Sequence, residues 1–324
     1  MNDDPKQGSS RLRKEVKTPE PSVAQVSQPA RVRFGTIPQV VLKSLRILLR
    51  SKDGSIAGTS GRDQPNSNGK IHPSAILHPN ARLGADCEIG PYCLVGEHVE
   101  LGDRCRLHSH VVLGGHTRLG HDNQIFPFAS LGLQTQDLKW AGGLTRVEIG
   151  DRNTFREGVT VHSATEDGGV TRIGSDNHLL AYAHIAHNCS LGNHIILSNF
   201  AGLAGHVEVE DHAVLGGYVA VHQFCRVGRF SMVGGCSKLR QDMPPFMLAD
   251  GSPAEVRTIN KTGLERGGVP EAAQEALRQA FKFLFREGLT VSNALVRIET
   301  ELPPLPEIQH LVQFVRNSER GISK

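Results

Sequence analysis

The chain has 324 residues, of which 38% are apolar and 5% aromatic, with one tryptophan and 35 glycines. It is long enough to bury a core, its glycine content argues against a helical bundle, and no stretch approaches the roughly 18–20 apolar residues of a membrane-spanning helix. The net charge of +3 is divided, +7 over residues 1–70 and −4 over the remainder, so the body of the chain has no basic excess of the kind that nucleic-acid binding requires.

Residues 1–70, rich in Ser, Pro, Gln and Gly, read as a disordered basic extension. The opening MNDDPK is acidic and no early apolar run follows, so no signal peptide is expected and a reducing, cytoplasmic setting is. Within the extension, Gln39–Arg50 (QVVLKSLRILLR) has the pattern of a basic amphipathic helix, suited either to weak contact with a membrane surface or to a packing role.

From Ile71 an aliphatic residue recurs every six positions. Leu77, Leu83, Ile89, Val95 and Leu101 begin a series that runs to Leu239, and 26 of its 29 positions are apolar. The exceptions, Asp137, Gly143 and Asp167, mark excursions near 132–148 and 162–172. The position four after each aliphatic residue is small or compact, and thirteen of the aliphatics are followed by glycine. A period of six matches neither a helix nor a plain strand. It describes three short strands per turn of a prism spanning 71–250, with aliphatics stacked inside and glycine easing each corner. Cys87, Cys93, Cys105, Cys189 and Cys225 take the small inward position and read as buried packing thiols; no CxxC pair suggests zinc or redox chemistry.

Pro244-Pro245 and Gly251-Ser252-Pro253 end the coil. Residues 251–324 read as a small α-helical domain, with Ala276, Leu277, Ala280, Phe281, Leu284 and Phe285 on one helix face and further helices over 290–301 and 306–317. Arg278, Lys282 and Arg286 form a basic stripe on the first, either an ordinary solvated face or a dock for an acidic partner.

The chemistry-bearing residues cluster in the second half of the coil. His184 and His187 flank the Ile185-Ala186 step, and His206 and His222 follow. With about 18 residues per turn, His187 and His206 fall near one corner a rung apart, about 4.8 Å along the axis. Most other histidines read as solvated corner residues. A zinc site from His162, His184 and His187 is chemically conceivable but leaves the surrounding runs unexplained.

The hexapeptide period resembles the left-handed parallel β-helix of the acyltransferase superfamily. QDLKW (136–140), TRVEIGDRN (145–153), HIAHNC (184–189), LAGHV (203–207), AVHQFC (220–225), VGGCS (233–237) and QDMPP (241–245) occur in that order. Together they look like the acyl-carrier-protein-dependent UDP-N-acetylglucosamine O-acyltransferase family, which opens lipid A biosynthesis. The resemblance covers about 71–324 and implies a mainly-β enzyme with no metal or bound cofactor. It implies a homotrimer with sites in the clefts between coils, acyl carrier protein as donor and UDP-N-acetylglucosamine as acceptor.

By the same resemblance His187 is the general base, assisted by Asn188, and the Gly205 N–H holds the oxyanion. Asp137, Lys139, His162, His184, His206 and His222 contact substrate, and Gln223, Asn260 and Arg266 the nucleotide end. Met232 and Gly235 measure the acyl chain, and Arg278, Lys282 and Arg286 dock the carrier. Histidine suits the task, since deprotonating a sugar hydroxyl calls for a base that titrates near neutrality. Two positions depart from the family: Asn188 stands where an aspartate is usual and can orient the imidazole without contributing charge, and Gly267 replaces one of two arginines. A related N-acyltransferase, a 3-amino acceptor sugar, or a non-catalytic scaffold are the competing readings.

Overall fold

The structure, a computed structural model, describes residues 70–324; the Gln39–Arg50 segment lies outside them. The six-residue period becomes a left-handed parallel β-helix. Twenty-six strands of two to four residues run from β1 (Lys70–Ile71) to β26 (Lys238–Leu239) and build three parallel faces. We call these sheets A, B and C, containing β1, β2 (Ile76–Leu77) and β3 (Arg82–Leu83) respectively. Partners on neighbouring rungs are 18 residues apart, as in Ile89↔Leu107 and Leu203↔Val221. The offset widens at two places only, to 30 for Leu119↔Ile149 and 24 for Ile149↔Ile173, where the two excursions leave the coil. The aliphatic series fills the prism: Leu113, Ile125, Leu131, Phe155, Leu179, Ile185 and Leu203 are wholly buried. The five inward cysteines are buried with it, while Cys236 is exposed.

The corners differ from expectation. Except for Gly132 at the start of the first excursion, glycine after the aliphatic residue does not make the turn. The left-handed φ falls two residues later, on Asp86, Tyr92, Arg104, His110, Asn188 and their equivalents, nearly all of them non-glycine. The glycines are required by stacking. A Cβ on Gly102 would lie 2.5 Å from the Gly120 carbonyl carbon, and Gly84, Gly120, Gly150 and Gly174 each abut the next glycine of the same column. The strain of a left-handed bulky residue, of order 1 kcal/mol or more, is offset by ladders of stacked rings. Tyr182, Phe200 and Tyr218 stack at 5.0 and 4.8 Å, and His194, His212 and Phe230 at 4.7 and 4.5 Å.

The coil ends in β27 (Met247–Asp250), parallel to β25 (Met232–Val233), followed by an antiparallel strand, β28 (Glu255–Ile259). Four helices follow: α1 (Lys261–Arg266), α2 (Glu271–Phe285), α3 (Val291–Glu301) and α4 (Pro306–Arg316). The short α1 has no apolar period and escapes the sequence pattern. The chain then returns to the coil, where Asp242 and Ile322 form a bridge. Among the described residues no helix is long and apolar enough to cross a membrane.

Candidate active site

The histidines converge where sheet B turns into sheet C. β17 (His184–Ile185) pairs with β14 (Thr160–His162) on one side and β20 (Gly202–Leu203) on the other. This places Thr160 beside His184, and Thr160 Oγ1 lies 2.8 Å from His184 Nδ1. The His162 and His184 rings are 5.3 Å apart, and His187 meets His206 edge to face at 5.2 Å. The 18-residue rung stacks His187, Gly205 and Gln223 in one column. A Cβ on Gly205 would lie 2.4 Å from His187 Cε1 and Nε2, so only glycine allows this approach. Among the described residues the Gly205 N–H donates to no other backbone carbonyl.

The two excursions roof this corner and are tied to one another. Thr135 Oγ1 and Thr165 Oγ1 are 2.9 Å apart and buried, and the Leu144 N–H donates to Asp167 at 2.7 Å. The Thr135 hydroxyl also accepts from the Asp137 N–H, turning the Asp137 carboxylate to 3.8 Å from His187 Nε2. Asp137 in turn accepts from the Lys139 N–H at 3.0 Å. Asn188 Oδ1 is 2.9 Å from His187 Nδ1 and accepts from the Thr165 N–H at 3.0 Å. Asn188 Nδ2 donates to Glu166 at 2.8 Å, and Glu166 reaches to 3.8 Å from His206 Nε2.

Burial dominates the electrostatics. Desolvation, and then the neighbouring His162 and His187, push His184 down to about 4. His162 is lowered for the same reason, and its buried Nδ1 has no hydrogen-bond partner. His206 is lowered by burial, against the pull of Glu166. Burial pushes the Cys189 thiol up to about 12, so this nearby sulfur is no thiolate nucleophile at neutral pH. The arrangement sets His162, His184 and His206, each favoured in its neutral form by burial, near a glycine N–H, with His187 held at Nδ1 by Asn188 and its Nε2 facing Asp137. That is the equipment for deprotonating a hydroxyl and receiving an oxyanion. Among the described residues no group of three or more His, Cys, Asp or Glu side chains is arranged to hold a metal ion.

The remaining candidates are dispersed. His222 is exposed, its Nδ1 3.3 Å from Arg320, and Gln223 beside it is exposed. Arg266 is exposed at the end of α1. Asn260 is buried and occupied structurally: its Oδ1 accepts from the Gly263 N–H as the α1 N-cap, and its Nδ2 donates to the Phe230 carbonyl. Gly267 packs so closely on Phe230 that a Cβ would lie 2.3 Å from the ring, which explains why no side chain stands there. Met232 and Gly235 lie on sheet A and at its turn into sheet B, across sheet B from His187. On the helical stripe, Arg278 is paired with Glu275, and Arg286 donates to the Arg257 carbonyl. Sequence reasoning missed Thr160, Thr165 and Glu166. Thr160 stands one rung before His184 and could have been found from the register; the other two lie on an excursion that has none.

Comparison with known proteins adds independent support. A family model described as UDP N-acetylglucosamine O-acyltransferase, domain 2, matches residues 242–323, and a bacterial transferase hexapeptide model matches 68–103 and 80–115. The acyl-[acyl-carrier-protein]–UDP-N-acetylglucosamine O-acyltransferase of Gloeothece citriformis is 43% identical over 200 residues, covering 62% of this chain and 72% of that protein. The UDP-N-acetylglucosamine O-acyltransferase structure from Moraxella catarrhalis superposes with a TM-score of 0.75 at 41% identity, over 78% of this chain and 99% of the other. The UDP-N-acetylglucosamine acyltransferase of Bacteroides fragilis gives 0.77 at 38% identity, over 78% and 100%. The chain belongs to the acyl-[acyl-carrier-protein]–UDP-N-acetylglucosamine O-acyltransferase family and is an acyltransferase.

Proposed function

We propose that the protein transfers a 3-hydroxyacyl chain from acyl carrier protein to the glucosamine 3-hydroxyl of UDP-N-acetylglucosamine, the first step of lipid A biosynthesis, as a cytoplasmic homotrimer. The observation that carries the reading is His187, held at Nδ1 by Asn188, with Nε2 between the Asp137 carboxylate and the Gly205 backbone. Nε2 takes the hydroxyl proton as the sugar oxygen attacks the thioester carbonyl. The oxyanion is held by the Gly205 N–H; its collapse breaks the C–S bond, and the carrier's sulfur leaves with the proton from His187. Asp137, Lys139, His162, His184, His206 and His222 contact the substrate, the buried Nδ1 of His162 being left without a hydrogen-bond partner. Gln223 and Arg266 serve the nucleotide end, with Asn260 shaping the turn that presents Arg266. Met232 and Gly235 limit the acyl chain, and Arg278, Lys282 and Arg286 meet the acidic carrier, a contact that speeds encounter and weakens with salt.

The test is turnover of 3-hydroxyacyl carrier proteins of several lengths with UDP-N-acetylglucosamine. The wild type should turn over with a clear length optimum, and His187→Ala should lose at least a thousandfold. A folded trimer silent with every donor on this sugar, yet active on its 3-amino analogue, would replace the acceptor. Silence on both would sink the reading.

A further inference from the structure

Glu166 has no role in the mechanism above, yet it is hydrogen-bonded into it. It stands on the excursion between β14 and β15 (Val170–Ile173), where the Gly169 N–H closes a tight turn onto its carbonyl at 2.9 Å. A Cβ on Gly169 would lie 3.3 Å from Asn188 Nδ2, so this turn is packed against the Asn188 amide. The contacts on that amide permit one orientation. The Thr165 N–H can only donate, so the atom facing it at 3.0 Å is oxygen; the Glu166 carboxylate can only accept, so the atom facing it at 2.8 Å is the NH2. The oxygen is therefore what meets His187 Nδ1 at 2.9 Å, and Nδ1 carries the proton. Nε2, on the side of Asp137 and Gly205, keeps its lone pair. A flipped amide would offer NH2 to Nδ1, place the proton on Nε2 and leave the imidazole unable to accept one there.

We infer that Glu166 is a positioning residue for the acyl transfer. One carboxylate oxygen locks the Asn188 amide in the sense that leaves Nε2 of His187 basic, and the other steadies His206 at the same corner. The inference rests on His187 being the base. It makes Asn188 and Glu166 a matched pair, because a carboxylate at 188 would need no orienting and would face Glu166 with like charge.

The experiment uses the full chain and compares Glu166→Ala, Glu166→Gln, Asn188→Asp and the Glu166→Ala/Asn188→Asp double variant. It measures kcat, KM for UDP-N-acetylglucosamine, and the tautomer of His187 by 15N NMR of histidine-labelled protein. Glu166→Ala should lower kcat about tenfold with KM within twofold, and its His187 spectrum should show both neutral tautomers where the wild type shows only Nδ1–H. Glu166→Gln, which can still accept from Asn188, should stay within threefold. In the Asn188→Asp background, removing Glu166 should cost less than twofold or raise kcat. Normal wild-type turnover with an unchanged tautomer in Glu166→Ala, or an equal tenfold loss in both backgrounds, would overturn the inference alone. A wild type silent on every substrate would overturn the acyl-transfer reading and the inference with it.

Discussion

His184 shows how one residue can serve the site at the expense of the fold. Its ring is desolvated between His162 and His187, with Thr160 as hydrogen-bond partner, and its folded-state pKa is held down near 4 against an ordinary 6.5. Between those values the unfolded chain binds a proton that the folded protein refuses. Protons therefore favour unfolding: the molecule should lose stability as pH falls from 6.5 toward 4, with little further loss from this group below. His162, lowered by the same burial, adds in the same direction. Urea midpoints at pH 7.5, 6 and 5 should fall progressively, and His184→Asn, which cannot titrate, should flatten the decline. An unchanged slope in that variant would assign the pH dependence elsewhere. The benefit to the site is an imidazole that stays neutral and can both donate and accept at any pH where the enzyme works.

The coil is governed by stacking, and its glycines separate into two kinds. Gly102 lies in the single file Gly84, Gly102, Gly120, Gly150, Gly174, Gly192, where an added methyl meets backbone that cannot move aside. Gly202 lies one rung from His184 with nothing within 4 Å of a Cβ. Gly102→Ala should therefore cost about 1–3 kcal/mol or more, the usual penalty for overpacking, and Gly202→Ala almost nothing in thermal unfolding. Equal melting temperatures for the two variants would refute the stacking account. The same contrast shows what the sequence revealed. The inward series was legible because each aliphatic residue repeats a single environment, and both excursions lengthen the rung by a multiple of six, so the count survives them. The glycines were misread because intrachain spacing reports the rung's own turn, whereas the constraint comes from the next rung. The His187–His206 contact was legible from its 19-residue separation. Glu166 was not, because the excursions have no period, and what ties them to His187 is a chain of side-chain hydrogen bonds that no spacing encodes.

At the scale of the molecule, the far end of the coil is closed by its own carboxy-terminal segment. Asp242, buried at the last rung, accepts from the Arg226 N–H at 2.8 Å and from the Ser318 hydroxyl at 2.7 Å. Its backbone accepts from the Ser323 N–H and donates to the Gly321 carbonyl. Asp242→Ala leaves buried donors without partners and should destabilise by about 1–3 kcal/mol. Hydrogen exchange should then show protection lost over 318–324 while rungs near Leu113 stay protected; loss throughout the coil would mean that the closure holds the entire stack. The excursions carry a different consequence. They leave the coil and rejoin it with Ile149 still opposite Leu119 and Ile173 still opposite Ile149, so their length is taken up outside the stack. The coil is a bench and the excursions are tools clamped to it: what stands over His187 can be lengthened, shortened or exchanged without rebuilding the surface beneath.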